Sequence, residues 1–482
     1  MNRRRAWFLA VVALAVVLYA RTLGFSFSHL DDSELVLDDL AFLRRPAAVV
    51  EAFGRPYFPE RGADHAYYRP LVTASFALDA LASSTNPAGY RATNLLLHAL
   101  VACLLLVLLE AEGAPFNVAL FVALAFVAHP ALTAAVAWIP GRDDLLLTLF
   151  ALSTWLALLR CERLPGAWST LWYGALFFAT LASKETGVTL PLVFLGRALL
   201  VRGRSWRSAL PRGVLGASFA AGFMVLLLRW RALGAGLGLP SLDAGVALGG
   251  AGVLVTGLGS LVVPASPRLL AVPGDVPHWP GILAWGLAGY AVIAAPRSER
   301  GRRLFGIGAF VLFLLPSLPA SGRLVLESRL YLPAVGVAWT LAEVARRASL
   351  PETPRLALAA FVPVALASSA WRLLEGHADR SSFAEMLAVQ SPHSALAARN
   401  LGVARQLAGD VPGARRAYAR ALAADPDEPL VHNNLGVLFM AEGKLDDAER
   451  ELRAELARDP DTRQARDNLE RVARARAERK AP

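Results

Sequence analysis

The 482-residue chain is predicted to be all-α: a polytopic bundle of transmembrane helices followed by a C-terminal α-solenoid of helical repeats. Charged residues make up 18% of the chain, against about 25% in a typical soluble domain, and 55% of residues are hydrophobic. Long apolar runs alternate with short polar joints from about residue 6 to residue 372 and then stop. We therefore place a membrane domain at 1–373 and a repeat domain at 374–482.

Eleven crossings are predicted, because a helix needs about 20 largely apolar residues to cross the hydrocarbon core. The apolar runs begin near residues 6, 92, 115, 143, 167, 187, 212, 281, 303, 329 and 355. Residues 246–264 are apolar but glycine-rich, and a full crossing there would move the arginine-rich joint 296–303 to the outer face. We interpret 246–264 as a membrane-edge or re-entrant segment. No small-residue cleavage site follows the first helix, so we expect that helix to be retained.

The orientation is predicted from the arginines that cluster in the joints. Arg3, Arg4 and Arg5 place the N-terminus in the cytoplasm by the positive-inside rule. Residues 21–91 then form the first external loop, and an odd number of crossings leaves the repeat domain outside. Because the net charge of +10 comes from such joints, we expect a membrane partner and no nucleic acid. Heavy use of Ala, Arg, Gly and Leu is typical of a GC-rich bacterium, which predicts the bacterial inner membrane.

The repeat domain is predicted from residues that recur at a spacing of 34 positions, the tetratricopeptide period. The matched positions are Leu401-Gly402 with Leu435-Gly436, Ala414 with Ala448, and Pro426 with Pro460. Each unit is a helix pair in which small residues let the helices approach and proline closes the second helix. Such arrays bind peptides or proteins on a concave face, so a protein partner is expected.

An acidic pair, Asp31 and Asp32, lies just beyond the first helix on the predicted outer face. A carboxylate there can take a proton from an alcohol or hold a cation. The plain alternative is a solvated pair of loop acids, and Asp38 with Asp39 forms a second such pair.

Other predicted outer joints carry charged or polar residues beside apolar helices. The candidates for substrate binding are Arg69, His129, Arg142, Asp143, Lys184, Glu185, Glu327 and Arg329. Arginine suits bidentate contact with phosphate and lysine suits a point-charge contact. The neighbouring charges Lys184 with Glu185 and Glu327 with Arg329 fit structural ion pairs equally well. His98, one turn inside a span, fits either an inter-helix hydrogen bond or catalysis.

Taken in order, these pieces resemble the transmembrane and tetratricopeptide-repeat O-mannosyltransferases, a family of C-type (GT-C) multi-pass glycosyltransferases. The matching strings are Leu30-Asp31-Asp32, Tyr68-Arg69-Pro70-Leu71, Asn94-Leu95-Leu96-Leu97-His98, His129-Pro130, Gly141-Arg142-Asp143-Asp144, Lys184-Glu185-Thr186-Gly187 and Glu327-Ser328-Arg329-Leu330-Tyr331, followed by the repeats. Ser28 and His29 are extra residues ahead of the acidic pair, which leaves the choice between its two aspartates open.

The resemblance implies transfer of a sugar, typically mannose, from a polyprenyl-phosphate carrier to an acceptor hydroxyl of a protein or glycan. It also implies that the acidic pair supplies the catalytic carboxylate. We expect Asp32 to act as general base, with Asp31 as the alternate, in one inverting displacement, and Arg142, Lys184 and Arg329 to hold the phosphate. No cofactor or metal is expected, although Asp31 and Asp32 together also suit a divalent cation.

Two other functions compete with the transferase. A non-catalytic scaffold would use the repeats to assemble an envelope complex and would tolerate Asn at both positions of the acidic pair. A transporter would carry charges buried mid-span, whereas the polar groups here gather at one edge of the spans.

Overall fold

The computed structural model describes residues 3–59, 67–234, 244–264, 268, 270–318, 325–347 and 352–480. Its regular secondary structure in the described part is helical, apart from the two-residue strands β1 (Leu270–Ala271) and β2 (Val325–Leu326). The predicted all-α fold is confirmed. The chain divides into two compact units, residues 1–269 with 276–379 and residues 270–275 with 380–482.

The first unit contains sixteen α-helices among its described residues. They are α1 (Arg3–Tyr19), α2 (Leu40–Leu43), α3 (Ala48–Glu51), α4 (Pro70–Ser83), α5 (Pro87–Ala111), α6 (Phe116–Ala128), α7 (Thr133–Ala137), α8 (Arg142–Arg163), α9 (Ala167–Ser183), α10 (Leu190–Leu200), α11 (Arg212–Leu233), α12 (Ala244–Val262), α13 (Trp279–Ile293), α14 (Arg297–Leu314), α15 (Pro333–Ala345) and α16 (Glu352–Leu374). Helices α2 to α4 lie within the predicted external loop 21–91, and α4 is an apolar helix with a buried face.

Several of these helices have the length and composition of a membrane span. In the described part of the chain, Arg4–Gly24, Pro87–Ala111, Ile139–Arg163 and Arg212–Leu233 meet both requirements. Phe116–Ala128 and Pro130–Ala137, bent by 58°, make a fifth if they count as one broken span. Helices occur near all eleven predicted starts, but some are short: α10 has 11 residues and extends about 16 Å. The chain is therefore a multi-pass membrane protein, and the count of eleven stays a prediction.

Buried charges lie at both ends of α8, which rises about 33 Å over its 22 residues. Asp143 and Asp144 occupy its first turn. Near its last turn, Glu162 and Glu112 both bind the fully buried Arg197. Since the hydrocarbon core is about 30 Å thick, the two groups sit one membrane thickness apart.

The predicted cytoplasmic joints meet at the Glu162 end of α8, which we call the arginine-rich end. The carboxylate of Glu110 accepts a hydrogen bond from Arg4, 3.0 Å, which brings the N-terminus there. Arg302 donates to the backbone oxygen of Glu112, 2.9 Å, and pairs with Glu343, 2.6 Å. The joint that contains Arg302 thus lies at the same end of the bundle as the joint after α8, as predicted.

Helix α12, predicted as a membrane-edge or re-entrant segment, contacts the opposite end of the bundle at two separate points. A Cβ built on Gly250 would lie 3.0 Å from the Cβ of Leu318, which follows the C-terminal end of α14. The backbone oxygen of Leu261 accepts a hydrogen bond from His129, 3.0 Å. These contacts favour a segment that runs along one edge of the bundle over a full crossing.

Helices α14 and α15 pack through glycines. A Cβ built on Gly306 of α14 would lie 2.8 Å from the backbone oxygen of Gly336 on α15, whereas a Cβ on Gly308 would meet nothing within 4 Å. Small residues at such a crossing let two backbones approach closely in a membrane protein.

The second unit is the repeat domain. Its helices are α17 (Arg380–Gln390), α18 (Ala395–Leu407), α19 (Val411–Ala424), α20 (Val431–Ala441), α21 (Leu445–Arg458) and α22 (Arg463–Lys480). The predicted helix pairs and their small contact residues are confirmed. A Cβ on Gly402 would lie 2.4 Å from the Tyr418 ring, and one on Gly436 would lie 2.7 Å from Leu452.

Candidate active site

The loop between α1 and residue 32 is held together by Asp32. The carboxylate is fully buried and accepts hydrogen bonds from the Ser28 backbone N–H, 2.7 Å, the Ser28 hydroxyl, 2.7 Å, and the Leu30 N–H, 3.0 Å. Both of its oxygens are therefore engaged within its own loop. The neighbouring Asp31 is half-buried. We call residues 25–32 the acidic loop.

The second acidic pair has a different environment. Asp39 binds Arg55 at 3.0 Å, and the Arg55 guanidinium stacks on the Phe42 ring with its carbon 3.7 Å from the ring centroid. Asp38 is exposed. Asp39 therefore takes part in an ion pair within the external loop.

Arg69, at the start of α4, joins two other predicted site segments. Its guanidinium donates two hydrogen bonds to Glu185, 2.7 and 3.1 Å, and one to Asp143, 2.6 Å. Lys184 lies 3.2 Å from Asp143 and donates to Asp144 at 2.7 Å. Four predicted site residues therefore form one continuous network with Asp144. We call these five residues the Arg69 cluster.

Local sequence explains how the cluster is presented. Asp143 and Asp144 occupy the first turn of α8, where the helix dipole favours negative charge. The turn before them requires Gly141, because a Cβ there would lie 2.6 Å from the backbone oxygen of Ala135. Lys184 ends α9 in extended conformation. The motif residues thus meet where the first turn of α8 faces the last turn of α9.

Two tyrosines enclose the Arg69 guanidinium. Its carbon lies 5.2 Å from the Tyr57 ring centroid and 4.7 Å from that of Tyr67. Burial raises the pKa of Tyr57 well above its usual range, and the carboxylates of Asp143 and Asp31 raise it further. The acidic loop and the Arg69 cluster therefore act electrostatically on the same hydroxyl.

The charge of Glu185 is set by Arg69. The attraction and hydrogen bonds of Arg69 lower the pKa of this carboxyl group, whose side chain is 46% exposed, to about 2. Glu185 is therefore ionised at any physiological pH.

Glu327 and Arg329 line a small cavity together with Arg268 and Ser260. Its volume is about 10 Å³, room for about one water molecule. Burial raises the pKa of Glu327 to about 8, although its carboxylate accepts a hydrogen bond from the Ser260 hydroxyl, 3.0 Å. Glu327 is therefore largely protonated at neutral pH.

Arg329 connects this cavity to the Arg69 cluster. Burial lowers the pKa of its guanidinium, and the charges of Asp144, Arg69 and Glu185 act on it as well. The segment is fixed by the buried Tyr331, whose hydroxyl lies 2.6 Å from His98 Nδ1. Because His98 Nε2 lies 3.3 Å from the backbone oxygen of Val127, both ring nitrogens have partners. This geometry favours the inter-helix hydrogen bond for His98.

Two predicted substrate-binding residues point away from the Arg69 cluster. Arg142 is fully buried and pairs with Asp79. It donates hydrogen bonds to Asn94 Oδ1, 2.8 Å, and to the backbone oxygen of Tyr90, 2.6 Å. His129 donates from Nε2 to Leu261 and accepts at Nδ1 from the Ala131 N–H, 3.3 Å. Both side chains hold helices together, so the phosphate contact expected for Arg142 is not favoured by this geometry.

Tyr57, Asp144 and Arg268 belong to the site but were absent from the predicted set. Asp144 had a signal, since it stands in the Gly141-Arg142-Asp143-Asp144 string. Tyr57 and Arg268 stand outside every matched string, so only their positions in space reveal them.

A metal site would need several ligand side chains that converge on one point. Within the described ranges, no three His, Cys, Asp or Glu side chains come together as a group that could hold an ion. The expectation of a metal-independent site stays a prediction.

Comparison with known proteins gives matches both to the tetratricopeptide-repeat family and to protein O-mannosyl-transferases. The tetratricopeptide-repeat family matches residues 364–429 and 405–462. The protein O-mannosyl-transferase Tmtc1 of Drosophila melanogaster is 34% identical over 182 residues, 37% of this chain and 21% of the relative. Human protein O-mannosyl-transferase TMTC4 is 28% identical over 205 residues, 38% of this chain and 27% of the relative.

These alignments span only about a quarter of the length of those relatives. Among solved structures, the Saccharomyces cerevisiae protein O-mannosyltransferase Pmt1–Pmt2 complex bound to the sugar donor matches with a TM-score of 0.34 at 16% identity. That match covers 56% of this chain and 38% of the yeast chain. The resemblance predicted from the motifs is confirmed by the sequence matches: over 37 to 38% of its length this chain is similar to protein O-mannosyl-transferases.

Proposed function

We propose that the protein is a membrane glycosyltransferase that moves a hexose, such as mannose, from a polyprenyl-phosphate carrier to a hydroxyl group of an acceptor protein or glycan. The observation that carries the proposal is the Arg69 cluster. Its Arg69 guanidinium lies 5.2 Å from the ring of Tyr57, on which Asp31 also acts, and its charges act on Arg329. The names of the related proteins support mannose as the sugar and protein as the acceptor.

Asp31 is the general base in this proposal, the reverse of the order expected from the sequence. Asp32 has both oxygens occupied by N–H and O–H donors of its own loop and is fully buried, which suits a structural role. Asp31 is half-buried and acts on Tyr57 together with Asp143. A base must reach the proton that it removes, so the more accessible carboxylate fits better.

The reaction is a single displacement. Asp31 takes the proton of the acceptor hydroxyl, and the acceptor oxygen forms a bond to the anomeric carbon of the sugar. The bond between that carbon and the phosphate oxygen breaks, and polyprenyl phosphate leaves with the electron pair. The anomeric configuration is inverted because attack and departure occur on opposite faces.

The departing phosphate gains negative charge, so it needs fixed cations. Arg329 and Arg268, which line a cavity together with Glu327, are the cations proposed for this role. Lys184 and Arg69 are balanced by Asp143, Asp144 and Glu185, so their role is to order the site. Since the cavity holds about one water, donor binding requires this region to open.

By this proposal the acidic loop and the repeat domain both face the outer side of a bacterial inner membrane. No cofactor or metal takes part, so a chelator should leave the rate of transfer unchanged.

The test is sugar transfer by the purified protein in nanodiscs, with polyprenyl-phosphate mannose as donor and secreted proteins of the host as acceptors. Asp31→Asn should lower kcat by at least about 100-fold, the usual contribution of a general base. Asp38→Asn, at the exposed acid of the same loop region, is the matched control and should retain full activity. Transfer by Asp31→Asn at the wild-type rate would rule out Asp31 as the base, and absence of transfer by the wild type would favour the scaffold.

A further inference from the structure

Arg91, on the second turn of α5, is buried and lies outside the Arg69 cluster. Its guanidinium donates hydrogen bonds to three backbone oxygens that belong to three separate segments. One Nη donates to Ala137, and the other donates to Ser26 at 2.6 Å and to His377 at 3.5 Å. Asp32 acts on Arg91 electrostatically. A single buried cation therefore joins distant parts of the chain.

Each of the three segments leads to a different part of the proposed machinery. Ser26 begins the acidic loop that carries Asp31. Ala137 ends α7, shortly before the first turn of α8 that carries Asp143. His377 lies in the 3-10 helix Glu375–His377, which follows α16 and leads into the repeat domain.

The acidic loop also bonds directly to the last of these segments. The Ser26 N–H donates to the Ala378 backbone oxygen at 2.8 Å, and the Ser26 hydroxyl lies 3.3 Å from the same oxygen. The acidic loop is thus supported from one side by α5 and from another by the segment that enters the repeat domain.

We propose that Arg91 is a positioning residue that holds the acidic loop in register with the start of α8 and with the segment 375–378. This rests on the proposed function, because the register matters most if Asp31 must meet a substrate held at the Arg69 cluster. The planar guanidinium reaches carbonyls in several directions at once, whereas a lysine ammonium is a compact point charge on a flexible stem. Lysine at position 91 keeps the positive charge beside Asp32 but loses some of the hydrogen bonds to the three backbone oxygens.

The test combines hydrogen exchange of the loop with steady-state kinetics, on the full-length protein in nanodiscs. In Arg91→Lys, the peptide containing residues 25–32 should exchange at least about ten times faster, because the Ser28 and Leu30 amides are protected by bonds to Asp32. The kcat for sugar transfer should fall at least tenfold, with the KM for the donor unchanged within about twofold.

Arg21→Lys is the matched control. Arg21 pairs with Glu375 at 3.3 Å and stacks on Trp371, its guanidinium carbon 4.5 Å from the ring centroid. It meets the acidic loop only at the Phe25 ring, 5.8 Å from the centroid, so it contacts the same segment without a hydrogen bond to the loop. It should leave both loop exchange and kcat as in the wild type. Equal loosening of the loop in Arg21→Lys and Arg91→Lys would overturn the proposal.

Ser26→Pro gives a second route if Arg91→Lys does not fold. It removes the N–H that binds Ala378 and leaves Arg91 in place, and Phe25, with φ −85° and ψ 147°, already has the conformation that precedes proline. Faster exchange of residues 27–32 is expected. Wild-type exchange in the folded variants would contradict the proposal even if the protein transferred no sugar, so the two hypotheses fail separately.

Discussion

The guanidinium of Arg69 binds the carboxylate of Glu185 side-on, through two hydrogen bonds of 2.7 and 3.1 Å. The same guanidinium reaches Asp143 at 2.6 Å, so one side chain connects the start of α4, the start of α8 and the end of α9. This geometry requires a planar fork, which arginine has and lysine lacks.

Arg69→Lys should therefore lower sugar transfer while the protein stays folded. Loss of one hydrogen bond between charged partners costs about 1.5–3 kcal/mol, or roughly 10- to 150-fold in kcat/KM if the full cost falls on the transition state. Steady-state kinetics measure the change. Arg45→Lys, at an exposed ion pair with Glu51, is the control and should be neutral. A wild-type rate for Arg69→Lys would show that the side-on geometry is dispensable.

Glu327 should make the stability of the protein depend on pH. Burial raises its pKa to about 8, beside Arg268 and Arg329, while an unfolded glutamate titrates near 4.5. Between these values the folded state holds a proton that the unfolded state has lost, so this group's contribution to folding stability declines as pH rises from about 4.5 to 8.

Glu327→Gln isolates that contribution, because the amide stays neutral and keeps an oxygen for the Ser260 hydroxyl. The difference in thermal midpoint between variant and wild type should grow in favour of the variant from pH 5 to pH 8. Parallel pH profiles of the two proteins would show that Glu327 has an ordinary pKa.

Gly306 and Gly308 in α14 give a matched pair for the packing of α14 against α15. A Cβ on Gly306 would press on Gly336 and on the Thr340 hydroxyl, whereas one on Gly308 enters open space. Gly306→Ala should destabilise the fold by about 1–3 kcal/mol, the usual cost of overpacking. Gly308→Ala should stay within about 0.5 kcal/mol of the wild type. Thermal unfolding in detergent checks both, and equal effects would mean that this helix contact is loose.

The sequence was informative where periodicity or a motif string marked the structure. Helix positions follow apolar runs, and the 34-residue spacing that links Gly402 to Gly436 reflects repeated close packing. The direction of a side chain is harder to predict. Arg142 and Asp143 are adjacent in the motif, but successive residues on a helix point about 100° apart, so Asp143 meets Arg69 while Arg142 meets Asp79. Side-chain partners such as Tyr57 depend on the folded loop and leave no pattern along the chain.

The two charged ends of α8 predict a topology that labelling can test. The arginine-rich end gathers Arg4, Arg197 and Arg302, so the positive-inside rule places it in the cytoplasm and the Arg69 cluster outside. In a variant with Cys103 and Cys161 replaced by alanine, single cysteines are introduced at the exposed positions Glu51, Arg207 and Arg416.

An impermeant maleimide applied to spheroplasts should label Glu51→Cys, in the predicted external loop, and Arg416→Cys, in the repeat domain. It should label Arg207→Cys only after the membrane is permeabilised, because the joint after α10 lies on the cytoplasmic side. Together, the three positions distinguish a wrong crossing count from a wrong orientation of the whole bundle. Labelling of Arg416→Cys only after permeabilisation would mean that the crossing count is even, which leaves the site outside. Labelling of Arg207→Cys in intact spheroplasts would place the arginine-rich end outside, and the acidic loop could then not meet a donor and acceptor on the outer face.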